Sequence, residues 1–241
     1  MIKGPRSAIQ YLLIFGLCIG VTAWGLLSTP ARRRELASPP HKYGAFTPGS
    51  WALFHETYRN GERSMESDER LEILQRTDAA VTVKMETTMT GRPPSADTQT
   101  VGLKDELTAI DGAERAGIET LTVEGRRYEC VIFRRGNFQF WLAPDLPWPV
   151  KSLDREIVDG VERAATEVRL TRPSDRVLIP GRSIDCAVFE ELHRVAGEVV
   201  RRSTSWKTTE IPGHEARREE SFTANGEPAS ITRVAVKFEI K

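Results

Sequence analysis

The chain has 241 residues, enough for one or two domains with a real core, and its 34 basic residues are matched by 34 acidic ones. No global field therefore draws it to nucleic acid, and nucleic acid is excluded as a partner. Aromatic and β-branched residues recur too regularly for a disordered chain.

Residues 8–27, from Ala8 to Leu27, form an uncharged apolar run preceded by Lys3 and Arg6. As a helix this run spans about 30 Å, the hydrocarbon thickness of a bilayer. Tyr11 and Trp24 stand near its ends, where interfacial aromatics belong. The alternative is a cleaved signal peptide. The run is longer than a usual signal core, Pro30 spoils the cleavage site, and Arg32-Arg33-Arg34 follows, so residues 1–28 read as a retained transmembrane helix. Flanking charge mildly favours a cytoplasmic carboxyl side. A short leader before a large β domain is nonetheless a common arrangement in exported, tethered proteins, and an extracytoplasmic location is the expectation adopted.

Residues 29–50 carry Pro30, Pro39, Pro40 and Pro48, which bar helix and central strand, and are expected to form a surface linker. The β domain is expected over residues 51–241. Ala80 to Thr87 alternates apolar and polar residues, as do Thr166 to Thr171 and Val234 to Ile240, where Val234, Val236 and Phe238 oppose Ala235 and Lys237. Asn60-Gly61, Asp111-Gly112, Gly136-Asn137, Asp159-Gly160 and Asn225-Gly226 are dipeptides that close tight hairpins. Residues 91–97 read as a longer hairpin tip. About four strands are expected between Trp51 and Leu107.

Further along, a segment recurs. Val123, Gly125, Arg126, Cys130 and Phe133 return as Ile179, Gly181, Arg182, Cys186 and Phe189, with the glycines and the cysteines each 56 positions apart. Trp141 and Pro147 answer to Trp206 and Pro212. Such self-similarity marks two copies of one supersecondary unit, placed at about 118–171 and 174–240. The first copy is expected to have strands near 119–124, 127–134, 138–143, 150–158 and 161–171. Cys130 and Trp141 are 11 positions apart, whereas Cys186 and Trp206 are 20 apart, so the second copy should hold a hairpin lengthened on both arms. The fold class is therefore all-β: a curved antiparallel meander built from an internal duplication and preceded by one transmembrane helix.

Period-2 spacing puts Tyr128 and Cys130 on one face, with Ile184 and Cys186 equivalent, while Phe133 and Phe189 fall opposite. Cys130 and Cys186 are the only cysteines beyond Cys18. Either they are buried thiols or, if equivalent strands meet near a pseudo-twofold axis, they form a disulfide. Trp141 and Trp206 are either packed aromatics at strand ends or the lining of a ligand cavity.

No catalytic, cofactor or metal constellation is legible. His41, His55, His193 and His214 lack partners at metal-ligand spacing, and no nucleophile elbow or phosphate-binding loop occurs. Of the 34 basic residues 26 are arginine. A basic edge could hold an anionic headgroup, but the doublets split their charge between two faces, so cross-strand ion pairs are the expectation.

The run from Trp141 through Pro147 to Lys151, closed by Asp159-Gly160 and a strand, resembles the periplasmic lipoprotein-carrier superfamily (LolA-like and LppX-like proteins). The Gly-x4-Cys element is similar to that of exported bacterial proteins with the same duplicated unit. The carrier resemblance implies a strongly curved antiparallel sheet whose concave face holds acyl chains. Two functions follow: a membrane-tethered extracytoplasmic domain with a non-enzymatic binding or envelope-organising role and a protein or amphiphile partner, or a lipid or lipoprotein carrier.

Overall fold

The computed structural model describes Leu36, residues 38–104 and residues 108–241. The expected transmembrane segment lies outside these residues, and no described helix is long and apolar enough to cross a membrane. The strands are β1 (Trp51–Asn60), β2 (Arg63–Arg76), β3 (Ala80–Met89), β4 (Ser95–Gly102), β5 (Glu114–Val123), β6 (Arg126–Arg135), β7 (Phe138–Leu142), β8 (Lys151–Val158), β9 (Val161–Ile179), β10 (Arg182–Val195), β11 (Glu198–Lys207), β12 (Glu215–Ala224) and β13 (Glu227–Glu239). All 13 join one antiparallel sheet in the order β4-β3-β2-β1-β13-β12-β11-β10-β9-β8-β7-β6-β5. The expected all-β meander is observed, with four strands before the repeated segments.

The order dictates curvature. β4 and β5 are consecutive in sequence yet occupy the two outer edges. Laid flat, twelve strand spacings would part them by roughly 58 Å. The connection over residues 103–113 reaches about 40 Å at full extension. The sheet must coil, and β9 accordingly touches both β5 and β13.

The pairing of β9 with β10 slips between Cys186 and Phe189, opposite Leu170 to Asp175. Pro173 falls in that slip, where a missing N–H costs the ladder nothing. Alternation in the sequence predicts a strand ending at 171. The bulge instead absorbs the proline and re-aims a single strand of 19 residues.

Most turn signals close hairpins as expected. Asp159-Gly160 and Asn225-Gly226 have φ of 52° and 76°, and 54° and 81°, the doubly left-handed geometry of a tight hairpin. Ala196-Gly197 has the same geometry with no sequence signal in its first residue. Asp111-Gly112 differs, lying in the long β4–β5 connection. The alternation at the carboxyl end is also corrected. A register shift opposite Leu53 and Phe54 turns Ala235 inward to full burial, while Val234 and Val236 are only half-buried.

The linker reading needs a correction as well. His41, Tyr43, Phe46 and Ser50 are buried, and Tyr43 and Phe46 belong to the core formed with Phe54, Ile73, Val83 and Ile211. Gly49 N–H donates to Ile73 O at 2.8 Å and Ile73 N–H to Ser50 O at 2.9 Å. Prolines forbid regular structure but not burial, and two aromatics between them suffice to seat the segment.

Candidate functional site

The two repeated tryptophans have matching surroundings. Trp141 on β7 donates its indole N–H to Glu119 on β5 at 2.7 Å, and the Lys151 Nζ sits 4.9 Å above its ring. Trp206 on β11 donates to Asp175 on β9 at 2.9 Å, and the Arg217 guanidinium lies 4.9 Å from its ring. Each bond reaches across an intervening strand, which only a strongly curled sheet allows. Glu119 and Asp175 stand 56 positions apart, the same offset as the glycines and cysteines. The sequence carries that offset, but carboxylates are too common on strands for it to single out these two acids. Trp51 differs: its indole N–H donates at 3.1 Å to Glu239 on the adjacent strand β13, and Arg70 lies 4.6 Å from its ring.

Cys130 and Cys186 are free and buried, in different core clusters. Each thiol donates to the carbonyl two residues upstream, Tyr128 O at 3.6 Å and Ile184 O at 3.7 Å. The disulfide alternative gives way to buried thiols, since each coil holds its own cysteine. Burial, above all, pushes Cys130 up to about 11 and Cys186 up to about 12, so both stay protonated and unreactive. Phe133 and Phe189 are both buried, Phe133 against Phe140 and Leu142, and Phe189 with Ala187 and Leu170.

The arginines pair with acids. Glu167, expected to face solvent, is buried and ringed by Arg169 at 2.7 Å, Lys151 at 3.1 Å and Arg194 at 3.4 Å. Burial alone would raise its carboxyl, but the Arg169 and Lys151 hydrogen bonds hold it below the usual range. Register places Phe54, Glu56, Arg233, Arg218 and Glu220 on one face. There Arg233 bridges Glu69 at 2.6 Å and Glu215 at 3.4 Å, while Arg201 reaches Glu220 at 3.5 Å.

A cleft of about 320 Å³ opens at the end of the sheet that carries the β7–β8 and β11–β12 loops. Its walls include Trp148, Phe189, Val168, Lys42, Lys207 and His214. Trp148 meets Phe189 edge-on at 6.2 Å and His214 edge-on at 6.1 Å. The Lys207 Nζ lies 5.1 Å from the Phe189 ring. His214 has a left-handed φ of 59° and is buried, with no hydrogen bond to Nε2. Burial first, then the charges of Lys207, His41 and Lys42, pull it down to about 4, so the imidazole is neutral near pH 7. Trp141 and Trp206 do not line this cleft; they wall the two cores. Sequence reasoning passed over Trp148 and Phe189 because neither sits in a chemical motif. Among the described residues no group of histidines, cysteines and carboxylates is arranged to hold a metal. The cleft combines an apolar, aromatic wall with two lysines and Glu215.

No family model matches the chain, and no curated protein does. Its fold is similar to several solved structures at low identity. A candidate lipoprotein from Parabacteroides distasonis aligns with a TM-score of 0.40 at 9% identity, over 83% of this chain and 99% of that one. A candidate outer membrane lipoprotein-sorting protein domain from Vibrio parahaemolyticus gives 0.32 at 9%, over 80% and 85%. The hypothetical lipoprotein YmcC from Escherichia coli gives 0.28 at 11%, over 98% of each chain. These are weak likenesses of fold.

Proposed function

We propose that the chain is a membrane-tethered, extracytoplasmic β domain that works by binding, with a protein or amphiphile as its partner and the bacterial envelope as its setting. One observation carries the reading as a binding module. The face shared by Phe54, Glu56, Arg218, Glu220 and Arg233 is closed by ion pairs, where a carrier of acyl chains needs a hydrocarbon-lined trough. The three core clusters are filled by the protein's own side chains. Tethering by residues 8–27 and the external location rest on the sequence alone.

The proposal includes the duplication. Segments 118–171 and 174–240 are taken as two copies of a coil, each pinned by a tryptophan, an acid two strands away and a cation on the ring. The shared 56-position offset of Glu119 and Asp175 supports this.

The second reading, a lipid or lipoprotein carrier, is favoured by the cleft, whose Trp148 and Phe189 wall would suit an apolar tail and whose lysines would suit an anionic head. Gentle extraction of the full chain from its native membrane, followed by mass spectrometry, separates the two. A stoichiometric protein partner supports the binding module. A co-purifying phospholipid or acylated protein lost on Phe189→Asp moves the assignment to the carrier.

A further inference from the structure

The cleft beside Trp148 is assembled from three segments that backbone hydrogen bonds hold in place. Gly213 N–H donates to Lys42 O at 3.0 Å, which seats the stretch before β1 on the β11–β12 loop. His214 N–H donates to Ile211 O at 2.8 Å and Thr208 N–H to His214 O at 3.0 Å, so that loop is closed on itself. On the third side, Val150 N–H donates to Trp141 O at 2.8 Å and fixes the loop carrying Trp148, whose ring packs on the core that includes Phe189. The walls are held by the fold itself, so little ordering accompanies binding.

Charge, strain and size narrow what the cleft can hold. Its charged lining consists of Lys42, Lys207 and Glu215. Glu215 is paired with Arg233 at 3.4 Å, so its carboxylate is already matched. Lys42 is exposed, meets no carboxylate among the described residues, and rests 5.0 Å from the Tyr43 ring. The Lys207 Nζ stands 5.1 Å from the Phe189 ring, and both ammonium groups are near enough to His214 to depress its imidazole. His214 itself combines a left-handed φ of 59° with a buried Nε2 that has no hydrogen-bond partner. Strain and an unmatched polar atom on one residue mark a place selected for more than packing. At about 320 Å³ the cleft is at the small end of ligand pockets, with room for roughly ten water-sized groups of ~30 Å³ each. That suffices for a two-ring body with one head group and excludes paired acyl chains.

We propose that the cleft binds a small organic anion with a flat apolar body, of the class of two-ring aromatic carboxylates. The body lies against Trp148 and Phe189, and the carboxylate meets the Lys42 ammonium on the side of the cleft shared with Lys207 and His214. Flat rings gain contact against aromatic walls, and a single negative charge answers cations held in partly apolar surroundings. The inference rests on the reading of the chain as a binding domain with an amphiphile partner, and narrows that partner from a lipid to a small molecule.

The test is isothermal titration calorimetry of the full chain in phosphatidylcholine nanodiscs, with empty nanodiscs as the blank. Naphthalene-2-carboxylate is expected to bind at one site per chain, and naphthalene-2-methanol, its uncharged counterpart, about tenfold more weakly or worse. Lys42→Met should weaken the carboxylate by a similar factor and Trp148→Ala by several-fold, each with an unchanged near-ultraviolet circular dichroism spectrum. Lys237→Met, on β13 beside Trp51, should leave binding as it is. Equal affinity for acid and alcohol overturns the inference, as does an equal loss in Lys42→Met and Lys237→Met. Short-chain dihexanoyl phosphatidylglycerol that displaces the carboxylate and binds more tightly overturns it in favour of a lipid. A silent carboxylate sinks the inference alone where a protein or lipid partner still co-purifies from the native membrane. It sinks the binding reading as well where no partner does.

Discussion

The Trp141 and Trp206 sites agree where they are buried and differ where they reach solvent. Both indoles donate to a carboxylate two strands away, at 2.7 and 2.9 Å, and both rings carry a cation at 4.9 Å. The hairpins bearing them are unlike: β6 and β7 have 10 and 5 residues, β10 and β11 have 14 and 10. Residues added to both arms of a hairpin extend it beyond the sheet without disturbing the register beneath. The geometry that closes each coil is thus kept, and the free end varies.

The comparison breaks most decisively at the rings. Trp141→Ala and Trp206→Ala should each lower the unfolding free energy by about 3–5 kcal/mol in urea titrations. Losses differing by more than about 1 kcal/mol would end the equivalence of the two sites.

Next in size is a pH effect confined to the second segment. His214 follows Pro212 by two residues, and the corresponding place after Pro147 holds Pro149, which does not titrate. The folded imidazole is held at about 4, below its unfolded value of about 6.5. The unfolded chain therefore binds the proton first, and stability falls as pH drops from about 6.5 to about 4, by about 3 kcal/mol at the limit. Asparagine tolerates the left-handed backbone, so His214→Asn should flatten this slope. An unchanged slope would assign it to other groups.

A smaller loss is expected at the acids. Glu119→Gln and Asp175→Asn keep an acceptor for the indole but remove its charge, costing about 1 kcal/mol each. The Trp206 indole N–H first, then the Arg176 backbone N–H, hold the Asp175 carboxyl below the usual range. Its contribution is present above its unfolded pKa of about 3.9 and fades as pH falls through the lower folded value. Acid titration of the Asp175→Asn protein should lack that component.

The least effect is expected at the exposed valines beside the β8–β9 and β10–β11 turns. Val158→Ser and Val199→Ser should change stability by less than about 0.5 kcal/mol in detergent solution, because nothing packs on them there. A larger loss would make these valines part of the fold.

The sequence by itself determined the strands and most of the hairpins, because alternation and turn chemistry act between neighbours a few residues apart. It located β1 at Trp51, four strands before the repeated segments, and the lengthened second hairpin. It misread the stretch from Ser38 to Ser50, because Tyr43 and Phe46 have a core to enter only after β1, β2 and β12 have assembled. It put Val234 and Val236 inward, because a single bulge beside Phe54 reverses which side of β13 is buried. The acid partners of the tryptophans, the cage around Glu167 and the cleft at Trp148 were decided by tertiary structure alone. Each depends on how far a 13-stranded sheet coils, and coiling accumulates from many small twists and bulges that no local window of residues contains.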